Sequence, residues 1–121
     1  MRLPIAGERL CVLSTEPLLA IGIGVYELHV GSELTIETPG GSVHHVVGDP
    51  TRTHDNLVGA LDGLIESASI NEQGGLRIAL DSGAHLIVDP DRYYEAWTFS
   101  GPRSMIASMP GGELAVWQDE S

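Results

Sequence analysis

Histidines and carboxylates lie close together in the stretch from residue 44 to residue 55, and these residue types can bind a metal ion. The set comprises His44, His45, Asp49, His54 and Asp55. Imidazole nitrogens and carboxylate oxygens are common protein ligands of zinc. His44 and His45 are adjacent in a short strand-like run, so their side chains point to opposite faces and only one can join His54. The spacing argues against a closed ligand set, and we predict no metal and no other cofactor.

Covalent and acid–base catalysis find little support in the sequence. No serine lies in a Gly-x-Ser-x-Gly pattern, and Cys11, the only cysteine, lies in an apolar run that predicts a buried thiol. The 17 acidic residues leave an acid–base pair open, but no motif selects one. We therefore assign no catalytic residue.

Aromatic side chains are the residues best suited to binding another protein. Four of the six aromatic residues lie between Tyr93 and Phe99, in a segment rich in carboxylates. Aromatic residues often dominate the binding energy of protein interfaces. One interpretation is that this segment binds a partner. The contact residues would then be Tyr93, Tyr94, Asp91 and Glu95, with Trp97 supporting them from beneath.

The alternative interpretation of the same cluster is purely structural. In it, Trp97 and Trp117 fill the core of the domain, and the two tyrosines cover its rim. The sequence leaves both interpretations open, and they differ in the expected exposure of Tyr93 and Tyr94.

The charge balance excludes some classes of partner. The chain has a formal net charge of -11, and its six basic residues are all arginines that are scattered singly along the sequence. Nucleic-acid binding and adsorption to anionic membranes both need clustered cations, so we expect neither. A net negative charge instead speeds encounter with a basic protein surface. A basic protein is therefore the expected partner.

The expected location of the protein is the cytoplasm. A single cysteine rules out an internal disulfide, as is usual in a reducing compartment. The N-terminus lacks a basic stretch followed by an apolar core, and the most apolar run, residues 17–25, is too short to span a bilayer.

The elements that must position these residues are mostly strands. Short apolar or alternating runs are separated by turns rich in glycine and proline over all 121 residues, which form a single domain. Residues 53–61 provide one candidate helix, with Thr53 or Asp55 as its cap. We predict an α+β, mostly β fold, in which antiparallel hairpins form a rolled or partly closed sheet with one short helix.

Two hairpins can be predicted in detail. Between residues 76 and 88, a three-residue turn at Asp81-Ser82-Gly83 places the apolar side chains of both strands on one face, whereas a two-residue turn would mix the faces. Gly83 is then the left-handed residue of the turn. A further hairpin is expected around Pro110-Gly111-Gly112, with strands that are central in the sheet or covered by the helix.

The segment 26–36 resembles the segment 76–88 in its spacing of apolar residues around a glycine. Gly31 corresponds to Gly83, and a proline follows each segment closely. We interpret this as a weak repeat of one hairpin unit, although any two hairpins share such an alternation.

Two motifs resemble a known family. Tyr94-Glu95-Ala96-Trp97 and the closing stretch from Met109 to Trp117, PGGELAVW after its methionine, resemble a family of small bacterial proteins of unknown function. The resemblance extends over most of residues 20–117. It implies two similar hairpins ahead of these motifs and brings no known activity.

Three hypotheses for the function remain. The first is a non-catalytic protein-binding module, such as an inhibitor or immunity-type protein for a basic partner. The second is a small metal- or acid/base-dependent enzyme that uses His54 and one of the paired histidines. The third is a structural protein that forms homo-oligomers.

Overall fold

The structure is a computed structural model that describes residues 1–14, 18–31, 33–46, 59, 61 and 63–118. Within these ranges the chain is mostly β, with short strands joined by tight turns. The strands are β1 (Leu10–Ser14), β2 (Leu19–Ile23), β3 (Tyr26–Val30), β4 (Glu33–Thr38), β5 (Gly41–Val46), β6 (Ile65–Ile70), β7 (Leu76–Leu80), β8 (His85–Val88), β9 (Trp97–Ser100), β10 (Ser104–Ser108) and β11 (Leu114–Gln118).

The strands form two antiparallel sheets. The six-stranded sheet has the order β1-β2-β3-β9-β10-β11, and the five-stranded sheet has the order β5-β4-β8-β7-β6. The prediction of a mostly β fold built from antiparallel hairpins is confirmed, but the strands lie in two sheets and do not close into a barrel in the described ranges. The helix predicted over residues 53–61 lies almost wholly outside the described residues.

One hydrophobic core lies between the sheets. Alternate residues of β2, β7 and β9 point inward, as period-2 patterning requires, and a single cluster of buried side chains contains members from both sheets. Trp97 of β9 is the largest of the fully buried side chains. Tyr26 stacks on Phe99 at the margin of this core, with 4.8 Å between ring centroids.

The two sheets are joined at a corner. The chain passes from β3 to β4 through residues 31–32 and returns from β8 to β9 through residues 89–96. Because β3 pairs with β9 and β4 pairs with β8, the two passages run side by side. The longer passage, residues 89–96, is called the tyrosine loop below.

The predicted register of the hairpin at residues 76–88 is confirmed. Leu76 pairs with Val88 and Ile78 pairs with Leu86, all with inward-facing, buried side chains. Gly83 has a φ of 91°, the left-handed conformation expected of the third turn residue.

The predicted repeat is wrong. The segment 26–36 does not form a hairpin, because β3 and β4 belong to different sheets and do not pair with each other. Apolar and polar residues alternate over 26–36 because β3 and β4 both face the same core. Gly31 lies where the chain passes from one sheet to the other. The real hairpin lies just before it, where Gly24 and Val25 connect β2 to β3.

Two expectations about burial are also wrong. Cys11 is exposed, because β1 directs Leu10 and Val12 inward and Cys11 outward, opposite Gly22. Trp117 is half exposed, because it pairs with Met105 on the outer face of the six-stranded sheet, and because β11 is an edge strand and not a central one. In the described ranges, no helix is long and apolar enough to cross a membrane.

Candidate protein-binding surface

The tyrosine loop presents its aromatic side chains to solvent. Tyr93 and Tyr94 are 72% and 69% exposed, among the highest values for large side chains in the described residues. The Oδ1 atom of Asp91 accepts hydrogen bonds from the backbone N–H groups of Tyr93 and Tyr94, at 2.8 and 3.1 Å. This is the local turn that aspartate favours, and it fixes the backbone that carries both rings.

A buried hydrogen-bond junction lies where the loop enters β9. The Trp97 Nε1–H group donates to the carbonyl oxygen of Gly74 at 3.1 Å, and the Ser108 hydroxyl donates to the same oxygen at 3.0 Å. Gly74 belongs to the turn between β6 and β7 in the other sheet. The junction therefore ties the two sheets together directly beside the loop, with every polar group in it paired.

The tyrosine loop is also tied to neighbouring backbone along its length. The backbone N–H of Gly111 donates to the carbonyl of Asp91 at 2.7 Å, and the N–H of Ala96 donates to the carbonyl of Ser108 at 3.1 Å. The carbonyl of Ala96 accepts a bond from Gly31 at 3.2 Å. The loop is consequently held at its start and at its end, while the tyrosine side chains between these points remain free.

Two facing glycines, Gly74 and Gly112, allow the β6–β7 turn and the β10–β11 turn to approach each other closely. A Cβ atom on Gly74 would collide with the backbone of Gly112, and one on Gly112 would collide with the carbonyl oxygen of Gln73. Both glycines have positive φ values, 89° and 94°. The PGGELAVW motif thus supplies a glycine that the junction requires, and the YEAW motif supplies the tryptophan that donates to it.

The surroundings of the loop are acidic. Asp89 and Glu95 are exposed and Asp91 is half-buried, against one exposed arginine, Arg92. A cleft of about 140 Å³ lies beside the loop, with Glu33 and His44 on its far wall. It is too small for a typical ligand pocket of about 300–1,000 Å³. Acidic and aromatic side chains are thus exposed together on the tyrosine loop.

The predicted contact residues lie together on this loop. Tyr93 and Tyr94 are exposed, Glu95 is exposed, and Asp91 uses its carboxylate to hold the turn. Trp97 is 1% exposed and lies under the loop.

The histidines show no metal centre in the described part of the chain, where no three histidine, cysteine or carboxylate groups are close enough to share an ion. His44 Nε2 lies 2.9 Å from the Glu33 carboxylate. The His45 side chain and residues Asp49, His54 and Asp55 lie outside the described residues, so the metal hypothesis stays untested.

Sequence reasoning missed the junction at Gly74. Its only signals in the sequence were the two glycine pairs, at 74–75 and 111–112, and a tryptophan in a strand-like run. A hydrogen bond to a backbone carbonyl 23 positions away leaves no pattern in the residue types themselves.

Comparison with known proteins identifies the family but no activity. No curated protein and no solved structure matches the chain. The family that does match is described only as a family of unknown function, and the match extends over residues 1–118. The protein therefore belongs to this family of unknown function, DUF6188.

Proposed function

We propose that the protein is a non-catalytic binding module of the bacterial cytoplasm that binds a basic protein through the tyrosine loop. An inhibitor or immunity-type role fits this activity, because such a protein acts by occupying a surface and needs no catalytic group of its own. The contact residues are Tyr93, Tyr94, Asp91 and Glu95.

The exposure of two adjacent tyrosines on a firmly held loop is the observation that carries this proposal. Aromatic side chains are frequent anchors of protein interfaces, because their burial against a partner removes a large apolar area from water. Binding also costs less entropy when the contact backbone is already ordered. Here the Asp91 turn and the bonds from Gly111 and Ala96 order the backbone before a partner arrives.

Charge supports a basic partner. The loop carries three carboxylates and one arginine, on a chain with a net charge of -11. Opposite charge increases the rate of encounter, and this effect weakens as salt screens it. Binding to the partner should therefore weaken as ionic strength rises.

The test compares matched variants in a pull-down from the native host followed by binding measurements on the captured protein. Tyr93→Ala with Tyr94→Ala removes the two rings. Leu13→Ala with Val25→Ala removes two other apolar side chains, 57% and 72% exposed, which lie outside the tyrosine loop on β1 and in the β2–β3 turn. We expect a basic protein that binds wild type and the control but not the tyrosine variant, with the fold intact by circular dichroism. Retention of every partner by the tyrosine variant would rule the proposal out.

A further inference from the structure

Three of the four edge strands, β1, β6 and β11, are protected to different degrees. β1 contains a register shift between Val12 and Ser14, and β6 contains one between Ile65 and Ser67. β6 is also covered by the N-terminal segment, where Leu3 donates to the carbonyl of Ala68. β11, by contrast, pairs with β10 in regular register along its whole length, and in the described ranges nothing pairs with its other edge.

The composition of β11 is unusual for a free edge. Leu114–Gln118 contains no charged residue and no proline, the two devices that commonly prevent edge-to-edge pairing. Val116 is 48% exposed on the inward side of the strand, and Trp117 is 50% exposed on the outward side. An uncharged edge with exposed apolar side chains on both faces is suited to pairing with another strand.

The hydrogen bonding of the adjacent turn fixes which backbone groups of β11 are free. The N–H of Met109 donates to the carbonyl of Glu113 at 2.7 Å, so Glu113 directs its carbonyl toward β10. Because these directions alternate along an antiparallel strand, Ala115 and Trp117 also face β10. The N–H and C=O groups of Leu114, Val116 and Gln118 therefore point to the free edge.

We propose that two copies of the protein form a dimer by antiparallel pairing of β11 with β11, about a twofold axis at Val116. This register overlaps the whole strand and places every outward-pointing backbone group opposite another. Val116 faces Val116 of the second copy, and Leu114 faces its Gln118. The two six-stranded sheets become one continuous sheet.

Side-chain size favours a second copy as the occupant. In this register Trp117 lies beside Ala115 of the second copy, and beyond it is Ala107, which pairs with Ala115 in the β10–β11 hairpin. The indole ring of each copy thus lies beside small residues of the other copy, and the twofold axis repeats this contact.

Charge distinguishes a second copy from a basic protein as the occupant of this edge. A basic protein would find no carboxylate within Leu114–Gln118, and a second copy meets no like charge within that strand, whereas Glu113, Asp119 and Glu120 flank it and repel at its ends. Elsewhere two chains of net charge -11 repel each other, so an uncharged strand is where self-association is least opposed. Salt should consequently strengthen the dimer, the opposite of its expected effect on binding of a basic partner.

The test is sedimentation velocity of the full chain over a range of concentrations, with two matched lysine variants. We expect wild type to sediment as two chains of 12.9 kDa. Val116→Lys places two ammonium groups opposite each other and should raise the dissociation constant by at least about tenfold. Val25→Lys makes the same change of charge at a side chain 72% exposed in the β2–β3 turn and should leave the dimer intact.

Further measurements separate this proposal from that of the tyrosine loop. Amide hydrogen exchange at Val116 should be slow in the dimer and faster on dilution, and Tyr93→Ala with Tyr94→Ala should remain dimeric. Trp117→Ser provides a second interface variant if Val116→Lys does not fold. A monomer at all concentrations and salt conditions, or a dimer that withstands both interface variants, would overturn the proposal.

Discussion

Two neighbouring passages carry the chain around the corner between the sheets, and they differ in length. The passage from β3 to β4 consists of residues 31–32, whereas the passage from β8 to β9 consists of residues 89–96. Both connect strands that are paired at each end, since β3 lies beside β9 and β4 lies beside β8. The long passage therefore uses more residues than the short passage to connect the same two sheets, and the additional residues include the exposed tyrosines.

The two passages also differ in what holds them. In the short passage, Gly31 donates one hydrogen bond to the carbonyl of Ala96. The long passage depends on the turns at Gly74 and Gly112, which belong to other hairpins. A passage that only connects two strands can be short. A passage that also exposes side chains for binding needs hydrogen bonds and packing from other hairpins.

The largest effect is expected at Gly112, beneath the long passage. A methyl group there would meet the carbonyl of Gln73, a backbone atom that can move only if its turn moves. We expect Gly112→Ala to lower the free energy of unfolding by about 3–5 kcal/mol, measured by urea denaturation. Gly111→Ala is the control, because Gly111 also has a positive φ, 87°, but open space around it. It should cost about 1–2 kcal/mol. Equal losses would contradict the close packing of the turns.

Removal of core side chains next to each passage should have large and similar effects. Leu86 precedes the long passage and Leu34 follows the short one, and both are buried in the shared core at 0% and 1% exposure. We expect Leu86→Ala and Leu34→Ala each to cost about 2–5 kcal/mol in urea denaturation. A loss below about 1 kcal/mol for either would show that the two strands do not share one core.

Glycine substitution should distinguish the true hairpin from the short passage. Gly83 has a φ of 91°, and a Cβ there would lie 3.1 Å from Pro39 Cγ, so Gly83→Ala should cost about 1–2 kcal/mol. Gly31 does not have a positive φ, and its Cβ would make an ordinary contact of 3.5 Å with the Glu95 carbonyl. Gly31→Ala should leave the free energy of unfolding unchanged or raise it slightly. A larger loss at Gly31 than at Gly83, measured by thermal or urea unfolding, would reverse this assignment.

A small loss of stability is expected at Asp91, and it is informative about the long passage. Asp91→Ala removes the acceptor for the N–H groups of Tyr93 and Tyr94 and should cost about 0.5–1.5 kcal/mol. Amide exchange at both tyrosines should become faster. Asp91→Asn keeps an oxygen acceptor and should stay close to wild type. If the alanine variant exchanges as slowly as wild type, the aspartate turn does not order the loop.

The sequence is informative about local features. The strand Ile65–Ile70 and the hairpin at 76–88 could be predicted because apolar alternation and a three-residue turn leave one register that keeps Leu80 and Leu86 on the same face. Turns, strand bounds and inward-facing positions depend on residues only a few positions away. The local sequence is therefore enough to predict them.

The structural features that the sequence did not predict depend on contacts between residues that are distant in the chain. Residues 26–36 alternate as a hairpin would, and only the pairing of β4 with β8 shows that Gly31 changes sheet. Similarly, the composition suggested an interface at Tyr93 and Tyr94, but the support from Gly74 depends on the fold. An exposed Trp117 could not be predicted either, because apolar residues lie on both faces of β11 and the residue types alone do not show which face is turned away from the core.

The pairing of β3 with β9 also sets the order in which this protein can be assembled on the ribosome. Glu27 and Ser100, which are bonded across this pair, are 73 positions apart in the chain. The hairpins of β1 to β3 and of β9 to β11 can form locally and rapidly, but joining them must await synthesis of most of the chain. During that interval β3 is an unpaired edge with an apolar inner face, which favours aggregation of nascent chains. The net charge of -11 opposes that aggregation and so helps the chain remain soluble until the sheet is complete.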